Sequence, residues 1–338
     1  MSTRRTRRAR VRALAKINLD LRVLEKRADG YHELRTIFQT ISLADSLEIA
    51  FTPGSGTAIE LDDPLALADN LVLRAARLAM EAMGATGRVA MRLTKRIPMG
   101  AGLGGGSSDA AAVLLALPPL AGGFLDWATL AALGREIGSD VPFFLLGGCA
   151  AGIGRGTELF PLPDRPPRHG LLVAPRVHVS TAEAYGALSP SLTTELQQNK
   201  IFSFQSQVWD VSSSVPAGND FEPAVFGRHP ELAALKERLL RAGASPALMT
   251  GSGSALFGLF RDAQGVSRAI AALGEESPVE AALLEPSGGE PSSGQWPASN
   301  PSFFRISLVN RARYRASWWR WLKEHCHGNA WPPRSRYA

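Results

Sequence analysis

The sequence predicts an α+β fold built as two domains. Strand-like stretches of alternating apolar and polar residues are interleaved with amphipathic helical stretches in both halves of the chain. A glycine-rich segment at 98–112 lies between a strand-like stretch and an alanine-rich helical stretch. The length of 338 residues suffices for two domains with substantial cores. Such alternation favours sheets that are covered by helices.

The first predicted strand begins at Val11. Its apolar positions are Val11, Ala13, Ala15, Ile17, Leu19, Leu21 and Val23. Its polar positions are Arg12, Lys16, Asn18, Asp20 and Arg22. Because successive side chains of a strand point to opposite faces, one face is apolar and the other carries charge. We therefore expect this strand to cover a core with only one of its faces.

Turn and helix signals divide the rest of the chain. The elements predicted for the first domain, 11–155, are a turn at 28–30, further strand from 32 to 52, a helix at 68–84 capped by Asp69 or Asn70, and helices at 108–117 and 127–137. The elements predicted for the second domain, 156–318, are a polar insertion at 190–218, a helix at 230–243, a strand–turn–strand around 251–253 and a short last strand after a linker at 286–302. We expect the ends to lie outside both domains, as a disordered basic arm at 1–10 and a basic, tryptophan-containing tail at 319–338.

The basic residues are concentrated at the two ends of the chain. The net charge is +6, but residues 1–12 hold six arginines and no acid, and residues 291–338 hold eight Lys/Arg and one Glu. Residues 13–290 therefore carry a net charge of −7. Binding to a nucleic-acid backbone needs a cationic patch, which the body of the chain does not suggest. We expect no nucleic-acid partner, although RNA or membrane binding through the basic ends stays open as an alternative.

Other sequence features favour a cytoplasmic protein. Two cysteines, Cys149 and Cys326, do not make a disulfide framework. The arginine-rich start lacks the apolar region of a signal peptide, and no stretch of about 18 apolar residues could cross a bilayer. We expect no membrane association, and a monomer or a weak homodimer.

Residues 98–112, PMGAGLGGGSSDAAA, predict a phosphate-binding loop. Glycines let the backbone approach an anion closely, and the following helix presents unpaired N–H groups at its N-terminus. A flexible linker fits poorly between a strand and a buried helix. Gly100, Gly102 and Gly105 match the dinucleotide pattern, but the acid about 20 residues on, Asp126, lies in a helical stretch. No Gly-Lys-Ser/Thr follows, so the P-loop pattern is absent.

The loop resembles the second motif of the GHMP small-molecule kinases. Residues 15–34, AKINLDLRVLEKRADGYHEL, resemble the first motif of that family, and residues 248–260, LMTGSGSALFGLF, resemble its third. The resemblance covers roughly residues 11–318. It implies a first domain like domain 2 of ribosomal protein S5, a ferredoxin-like second domain, ATP as co-substrate and Mg²⁺ carried with ATP. The residues that it implies around ATP are Pro98, Gly100, Gly102, Leu103, Gly104, Gly105, Gly106, Ser107, Ser108, Asn70 and Lys95.

Several of these ATP assignments have structural alternatives. The hydroxyls of Ser107 and Ser108 could bind phosphate or Mg²⁺, or could cap the helix behind the loop. For Lys95 and Arg96, a role at the loop and a place as solvated residues at the end of a strand are equally good explanations. Asn70 could lie near the adenine, on a weak signal.

Lys16 and Asp140 correspond to the catalytic pair of the family. From the residues alone, Asp140 in the segment GSDVPFF is either a general base or the start of a helix, and Lys16 is a solvent-facing lysine. The resemblance makes Asp140 the catalytic aspartate and Lys16 its neighbour, which could stabilise a developing alkoxide. Asn18 shares the face of Lys16 and is expected to reach the same pocket.

A second group of residues resembles the cytidine-binding clamp found in some members of this family. The string ADGYH, which contains Tyr31 and His32, and Tyr185 in STAEAY carry this resemblance. We expect an aromatic ring to stack on the base. Gly251 and Ser252 are expected to complete the substrate site. The implied substrate is a small alcohol, methylerythritol linked to cytidine diphosphate. The alternatives are a mevalonate, homoserine or sugar kinase of the same family, and a non-catalytic nucleotide sensor.

Overall fold

The structure is a computed structural model that describes residues 5–63, 69–188, 194–209, 217–274 and 302–326. The strands are β1 (Arg7–Lys26), β2 (His32–Pro53), β3 (Ala58–Asp62), β4 (Gly87–Thr94), β5 (Cys149–Gly154), β6 (Glu158–Pro161), β7 (His169–Ala174), β8 (Ala247–Met249), β9 (Leu256–Phe260) and β10 (Ser302–Ser307). The helices are α1 (Leu71–Met83), α2 (Gly105–Ala121), α3 (Trp127–Ile137), α4 (Val141–Leu146), α5 (Thr181–Gly186), α6 (Thr194–Trp209), α7 (Glu222–Arg228), α8 (Pro230–Arg241), α9 (Ala263–Gly274) and α10 (Arg311–Leu322).

The first sheet is organised around β2. This strand pairs antiparallel with β1 on one edge, and with β4 and β5 at its two ends on the other edge. β3 then adds parallel to β4, and β6 adds antiparallel to β5. Apolar residues of β1, β2 and β4 pack against α1, α2, α3 and α4 in one core. The alanine-rich sequence of α2 suits its central place there, because small side chains let helix and sheet approach closely.

The second sheet is antiparallel, in the order β10–β7–β9–β8. One of its faces packs against α7, α8 and α9. The other face packs against the first sheet, where Phe257 and Ile306 meet Ile17 and Ile37. The two domains therefore share a core, and β1 lies at their junction.

The polar face of β1 is buried rather than solvated. Lys16, Asn18 and Asp20 are 4%, 3% and 0% exposed. The glycine-rich loop covers this face, since the backbone N–H of Lys16 donates to the carbonyl of Leu103 at 3.1 Å. Buried polar groups must find partners inside the protein, so this face becomes a site of defined geometry.

The structure differs from the predicted segmentation at several places. Residues 7–10 belong to β1, so only residues 1–4 of the predicted disordered arm lie outside the description. The first sheet continues to Pro161, six residues beyond the predicted boundary. Residues 194–209 of the predicted insertion form α6, whose Phe204 is buried. The predicted linker at 286–302 lies outside the described residues, except for Ser302 at the start of β10.

The C-terminal segment is part of the first domain. Tyr314, Trp318 and Leu322 of α10 are 1%, 2% and 1% exposed and belong to the core that α1–α4 build. The hydroxyl of Tyr314 donates to the carbonyl of Phe144 in α4. The predicted tail beyond 318 is therefore helical to Leu322 and packed, and residues 327–338 lie outside the description. The spacing of these three apolar residues by four is typical of one helix face.

None of the helices in the described part of the chain is both long enough and apolar enough to cross a bilayer.

We expect Trp318→Ala to lower the free energy of unfolding by about 3–5 kcal/mol, because it leaves a cavity in the first core. The matched control is Trp321→Ala on the same helix, where the side chain is 46% exposed; its effect is expected to stay below about 1 kcal/mol. Urea denaturation followed by circular dichroism measures both. Equal effects of the two substitutions would show that α10 is not docked.

Candidate active site

Lys16 and Asp140, which are 124 positions apart, meet at the junction of the domains. The Lys16 Nζ lies 3.6 Å from Asp140 Oδ2. The side chain of Lys16 is 5% exposed and that of Asp140 is 30% exposed. The lysine is therefore enclosed, whereas the carboxylate reaches an open space. The structure brings together the two residues that the sequence analysis assigned to catalysis.

The carboxylate of Asp140 is not a helix cap. Asp140 directly precedes α4, but its side chain makes no capping hydrogen bond to that helix. Pro142 starts the helix, and Phe143 and Phe144 anchor it in the core at 0% exposure. The backbone of Asp140 is thus fixed while its carboxylate stays available. Asp140 thus takes the helix-start position that the alternative predicted, but its carboxylate is not used for capping.

Asn18 is hydrogen-bonded to Lys16 and to three other residues of the protein. Its Oδ1 accepts from Lys16 Nζ at 2.8 Å and from the N–H of Gly251 at 3.0 Å. Its Nδ2 donates to Thr36 Oγ1 at 2.8 Å. The backbone N–H of Asn18 donates to Thr250 Oγ1. Asn18 therefore holds the lysine and the third motif together, and its contact with substrate stays a prediction. Thr36 and Thr250 carried no sequence signal.

The glycine-rich loop is tightly enclosed. Gly100, Gly102 and Gly104 have φ angles of +66°, +75° and +68°, in the left-handed region that favours glycine. A Cβ on Gly102 would lie 2.1 Å from the carbonyl oxygen of Thr250. The third motif thus packs directly on the loop. Pro98 precedes the loop, and the side chain of Leu103 is buried in the shared core, which leaves only its backbone at the site.

The loop ends at the N-terminus of α2, a 17-residue helix. Its N-cap, Gly104, has no side chain to satisfy the first N–H groups of the helix. Those groups belong to Gly105, Gly106 and Ser107, and together with the helix dipole they favour an anion at this position. This backbone geometry is the one that the predicted phosphate cradle requires.

The two serines after the loop have different environments. Ser108 is fully buried, and its hydroxyl donates to the carbonyl of Leu14 at 2.7 Å. It therefore ties α2 to β1, and the predicted contact of its side chain with phosphate does not fit this arrangement. Ser107 is partly exposed at the start of the helix. Its hydroxyl remains a candidate for phosphate binding.

Lys95 lies beneath the loop in a buried ionic cluster rather than at a solvated strand end. Its Nζ donates to Asp109 Oδ2 at 2.7 Å and also to Asp45 Oδ2. Although burial lowers the pKa of the ammonium, the two carboxylates outweigh it and raise the pKa of Lys95. Burial raises the pKa of Asp109 to about 8 against the opposing effect of Lys95, and Asp45 adds to this rise. Sequence reasoning missed both acids.

Asn70 is the N-cap of α1. Its Oδ1 accepts from the N–H of Val72 at 2.9 Å and its Nδ2 donates to Asp63. The following residue, Leu71, borders Gly106 of the loop. The helix cap is thus as the sequence predicted, and the position is next to the loop. The polar atoms of the side chain are already paired within the protein.

A cavity of about 1330 Å³ opens beside Asp140 and contains the predicted base-binding residues. Ser139, Tyr31, His32 and Tyr185 are among the residues that line it. The His32 and Tyr185 rings stack with centroids 5.0 Å apart. Burial lowers the pKa of His32, and nearby Lys26 adds to this effect, which keeps the ring neutral near pH 7.

Two cavity residues were not found from the sequence. The guanidinium of Arg155 lies 3.5 Å from the ring centroid of Tyr31, a ring that is otherwise 51% exposed. Lys200 of α6 also lines the cavity and pairs with Asp220 at 2.6 Å. Lys200 lies in the segment taken for a polar insertion, where no periodic signal pointed to the site.

The third motif packs on the loop from the second domain. A Cβ on Gly251 would lie 3.0 Å from Gly102 Cα. The Ser252 hydroxyl lies 3.0 Å from the hydroxyl of Thr181, at the start of α5. Gly251 therefore acts as a packing residue of the loop, and Ser252 lies at the edge of the site.

Among the described residues, no group of three or more His, Cys, Asp or Glu side chains is arranged to hold a metal ion.

Comparison with known proteins identifies the family. A model described as GHMP kinases N terminal domain matches residues 70–148, and one described as GHMP kinases C terminal matches residues 211–278. The chain is 62% identical to 4-diphosphocytidyl-2-C-methyl-D-erythritol kinase of Solibacter usitatus (strain Ellin6076), over all of this chain and 99% of that protein. The chain belongs to the 4-diphosphocytidyl-2-C-methyl-D-erythritol kinase family of GHMP kinases. The resemblance of its three motifs to GHMP kinases is thereby confirmed.

Solved structures agree with the GHMP kinase fold. A crystal structure of 4-(cytidine 5'-diphospho)-2C-methyl-D-erythritol kinase matches with a TM-score of 0.68 and 36% identity, over 88% of this chain and 98% of that chain. The crystal structure of homoserine kinase from Cytophaga hutchinsonii also matches with a TM-score of 0.68, at 18% identity, over 90% of this chain and 95% of that one. The backbone alone therefore does not separate the kinases of this fold by acceptor. The predicted α+β class is confirmed.

We expect Gly102→Ala to raise the KM for ATP of this GHMP kinase at least tenfold and to lower its melting temperature. Its Cβ would collide with the Thr250 carbonyl, and the residue would also be held at an unfavourable positive φ. Gly84→Ala is the control, since Gly84 has φ +58° but no atom within 4 Å of the added Cβ. The stability that this control loses measures the effect of holding a residue with a side chain at positive φ, about 1 kcal/mol. Equal behaviour of the two variants would contradict tight packing of the loop against the third motif.

Proposed function

We propose that this chain transfers the γ-phosphate of ATP to the 2-hydroxyl of 4-diphosphocytidyl-2-C-methyl-D-erythritol, a step of the non-mevalonate route to isoprenoid precursors. One observation carries the proposal: the Lys16–Asp140 pair borders the glycine-rich loop through Lys16, whose Cγ is 3.3 Å from where a Cβ on Gly104 would stand, and adjoins the cavity of Tyr31, His32 and Tyr185 through Ser139. A phosphate donor in the loop and a cytidyl acceptor in the cavity would meet at this pair. Membership of the family and 62% identity to the Solibacter usitatus kinase support the choice of acceptor.

The glycine-rich loop would hold the triphosphate. The N–H groups at the start of α2 point to the position of the anion, and the partly exposed Ser107 hydroxyl is placed to add a hydrogen bond. Mg²⁺ would enter with ATP as part of the substrate and neutralise charge on the transferred phosphate. Binding of this kind lets the chain orient the donor without a resident metal.

Asp140 would accept or orient the proton of the attacking hydroxyl. Its Oδ2 is 3.6 Å from Lys16 Nζ, too long for a hydrogen bond, so the carboxylate can still accept one from an alcohol. Lys16 would stabilise the negative charge that develops on the attacking oxygen. Asn18, with its three internal partners, would keep the ammonium in place. No covalent phosphoenzyme is needed, because donor and acceptor meet directly.

The cavity would select the cytidyl group. Tyr31 offers an exposed ring, and the neutral His32 ring is stacked on Tyr185. Stacking provides affinity for a base, and the edges of a neutral imidazole and of backbone groups provide hydrogen bonds. The acceptors of mevalonate and homoserine kinases have no base to occupy such a space. The cavity therefore disfavours those alternatives.

An acceptor panel tests the proposal. Purified protein is incubated with Mg²⁺ and ATP labelled in the γ-phosphate, and with 4-diphosphocytidyl-2-C-methyl-D-erythritol, mevalonate, homoserine or galactose. We expect label only in the cytidyl compound. Preferential phosphorylation of an acceptor without a cytidyl group would overturn the assignment.

We expect Asp140→Asn to fold normally and to lose kcat by about 10²–10⁴-fold, because it removes the proton acceptor. The KM for ATP is expected to change little, since the loop is untouched. Steady-state kinetics and a melting curve measure both. A kcat within tenfold of the wild type would exclude Asp140 as a base.

We expect Tyr31→Ala to raise the KM for the cytidyl substrate about 5–100-fold, because stacking on a base contributes about 1–3 kcal/mol. kcat and the KM for ATP are expected to stay within about twofold. Tyr31→Phe is the control that keeps the ring and is expected to restore the KM. A variant with unchanged KM would show that the base binds elsewhere.

A further inference from the structure

A buried ionic cluster under the glycine-rich loop has more acid than base. It consists of Lys95, Asp45 and Asp109, with side-chain exposures of 10%, 0% and 2%. With all three groups ionised its net charge is −1. Burying an unbalanced charge is costly, so a buried cluster of this composition favours taking up a proton.

The two carboxylates differ in their partners. Asp45 Oδ1 accepts from the backbone N–H groups of Arg96 and Ile97, and its Oδ2 accepts from Lys95. Asp109 Oδ2 accepts from Lys95, but Asp109 Oδ1 is buried without a hydrogen-bond partner among the described residues. Hydrogen bonds to a carboxylate favour its charged form. A proton on the cluster therefore belongs on Asp109, in agreement with the raised pKa of that group.

Charged groups on the neighbouring elements do not balance the cluster. Lys16 of β1 approaches Gly104 through its Cγ and pairs with Asp140 before α4. Arg74 of α1 pairs with Glu136 of α3 at 3.6 Å, with both side chains about half exposed. Arg77 and Glu81 of α1, and Arg135 of α3, are exposed at the surface. Asp45 from β2 and Lys95 after β4 are therefore the groups that govern Asp109.

The cluster lies directly against the predicted phosphate position. The Lys95 Nζ is 3.2 Å from where a Cβ on Gly105 would stand, and Gly105 is the first residue of α2. Asp109 lies one turn further along the same helix. A polyphosphate at this N-terminus adds several negative charges above a cluster that is already negative when deprotonated. Like charges in a poorly solvated region repel strongly, so the two anions compete.

We propose that Lys95 and Asp109 are positioning residues of the phosphate loop, and that Asp109 must carry a proton for the loop to bind a polyphosphate well. Protonation leaves the cluster neutral, with Lys95 still paired to Asp45, so that the cluster no longer repels an anion at the start of α2. Because linkage is reciprocal, bound nucleotide favours the proton and the proton favours nucleotide. This inference rests on the proposed function for the position of ATP, but not on the identity of the acceptor.

The test is nucleotide affinity as a function of pH, measured on the full chain without acceptor. The probe is a non-hydrolysable ATP analogue with excess Mg²⁺, titrated by calorimetry between pH 6.5 and 9.5. We expect a constant Kd below about pH 7 and a rise of up to tenfold per pH unit above about pH 8, where free Asp109 loses its proton. Titrations at pH 8.5 in two buffers of different ionisation enthalpy should show net proton uptake on binding.

Asp109→Asn is the decisive variant, since an amide has nearly the same shape and cannot titrate. It should bind the analogue at pH 7 within about threefold of the wild type, with a flat pH profile and no proton uptake. Asp62→Asn is the matched control, because Asp62 is an exposed partner of Arg92 on the first sheet; it should keep the wild-type profile.

Three results would overturn the inference. They are a wild-type profile without a rise above pH 8, a wild-type proton count of zero at pH 8.5, and an Asp109→Asn profile with the wild-type slope. If Asp109→Asn does not fold, the number of protons that the wild-type protein takes up on binding the analogue still decides whether the inference holds. Failure of the proposed acceptor would be seen separately, as absent turnover with intact proton-linked nucleotide binding.

Discussion

The burial of the Lys16 ammonium is the constraint on which the site depends. A cation that is only 4% exposed must be paired, and the ammonium has two direct partners, Asp140 and Asn18. Asp140 precedes α4, Asn18 shares the strand with Lys16, and Gly251 holds Asn18 from the turn between β8 and β9. Because each partner fixes the next, the requirement to satisfy one charge aligns both domains around one position.

The same junction explains why the glycines of the loop and of the third motif cannot be replaced by residues that carry a side chain. Gly102 and Gly251 bring two backbones into direct contact, and Gly104 lies against Phe144 and Lys16. The loop is therefore rigid because it is enclosed, although its composition alone would suggest flexibility. A rigid cradle has its N–H groups oriented before the anion arrives, so binding does not have to order them.

Much of the fold and the central pair could be predicted from the sequence. Alternation in β1, the cap at Asn70 and the glycine-rich loop are local patterns, and the order of three motifs identified the family that brings Lys16 to Asp140. The assignments of Ser108, Asn18 and Lys95 to ligand contacts stay predictions, and these three positions share a physical feature. Each is a polar residue next to a binding motif, and only the packing shows that its polar atoms are already used by Leu14, by Gly251 or by Asp109. Asp45, the partner of Lys95, and Arg155, the partner of Tyr31, are distant from them in the sequence. Such partners leave no local sequence pattern from which they could be predicted.

The docking of α10 into the first domain has a consequence for how the protein is made. Tyr314, Trp318 and Leu322 complete, together with Val309, a core whose other buried members lie within residues 9–150, so that core closes over a chain separation of more than 150 residues. Domains commonly fold as units, N-terminal first, while the ribosome is still at work. Here the first domain must wait, with part of its apolar surface uncovered, until α10 leaves the exit tunnel. The second domain is therefore synthesised before the core of the first domain is closed.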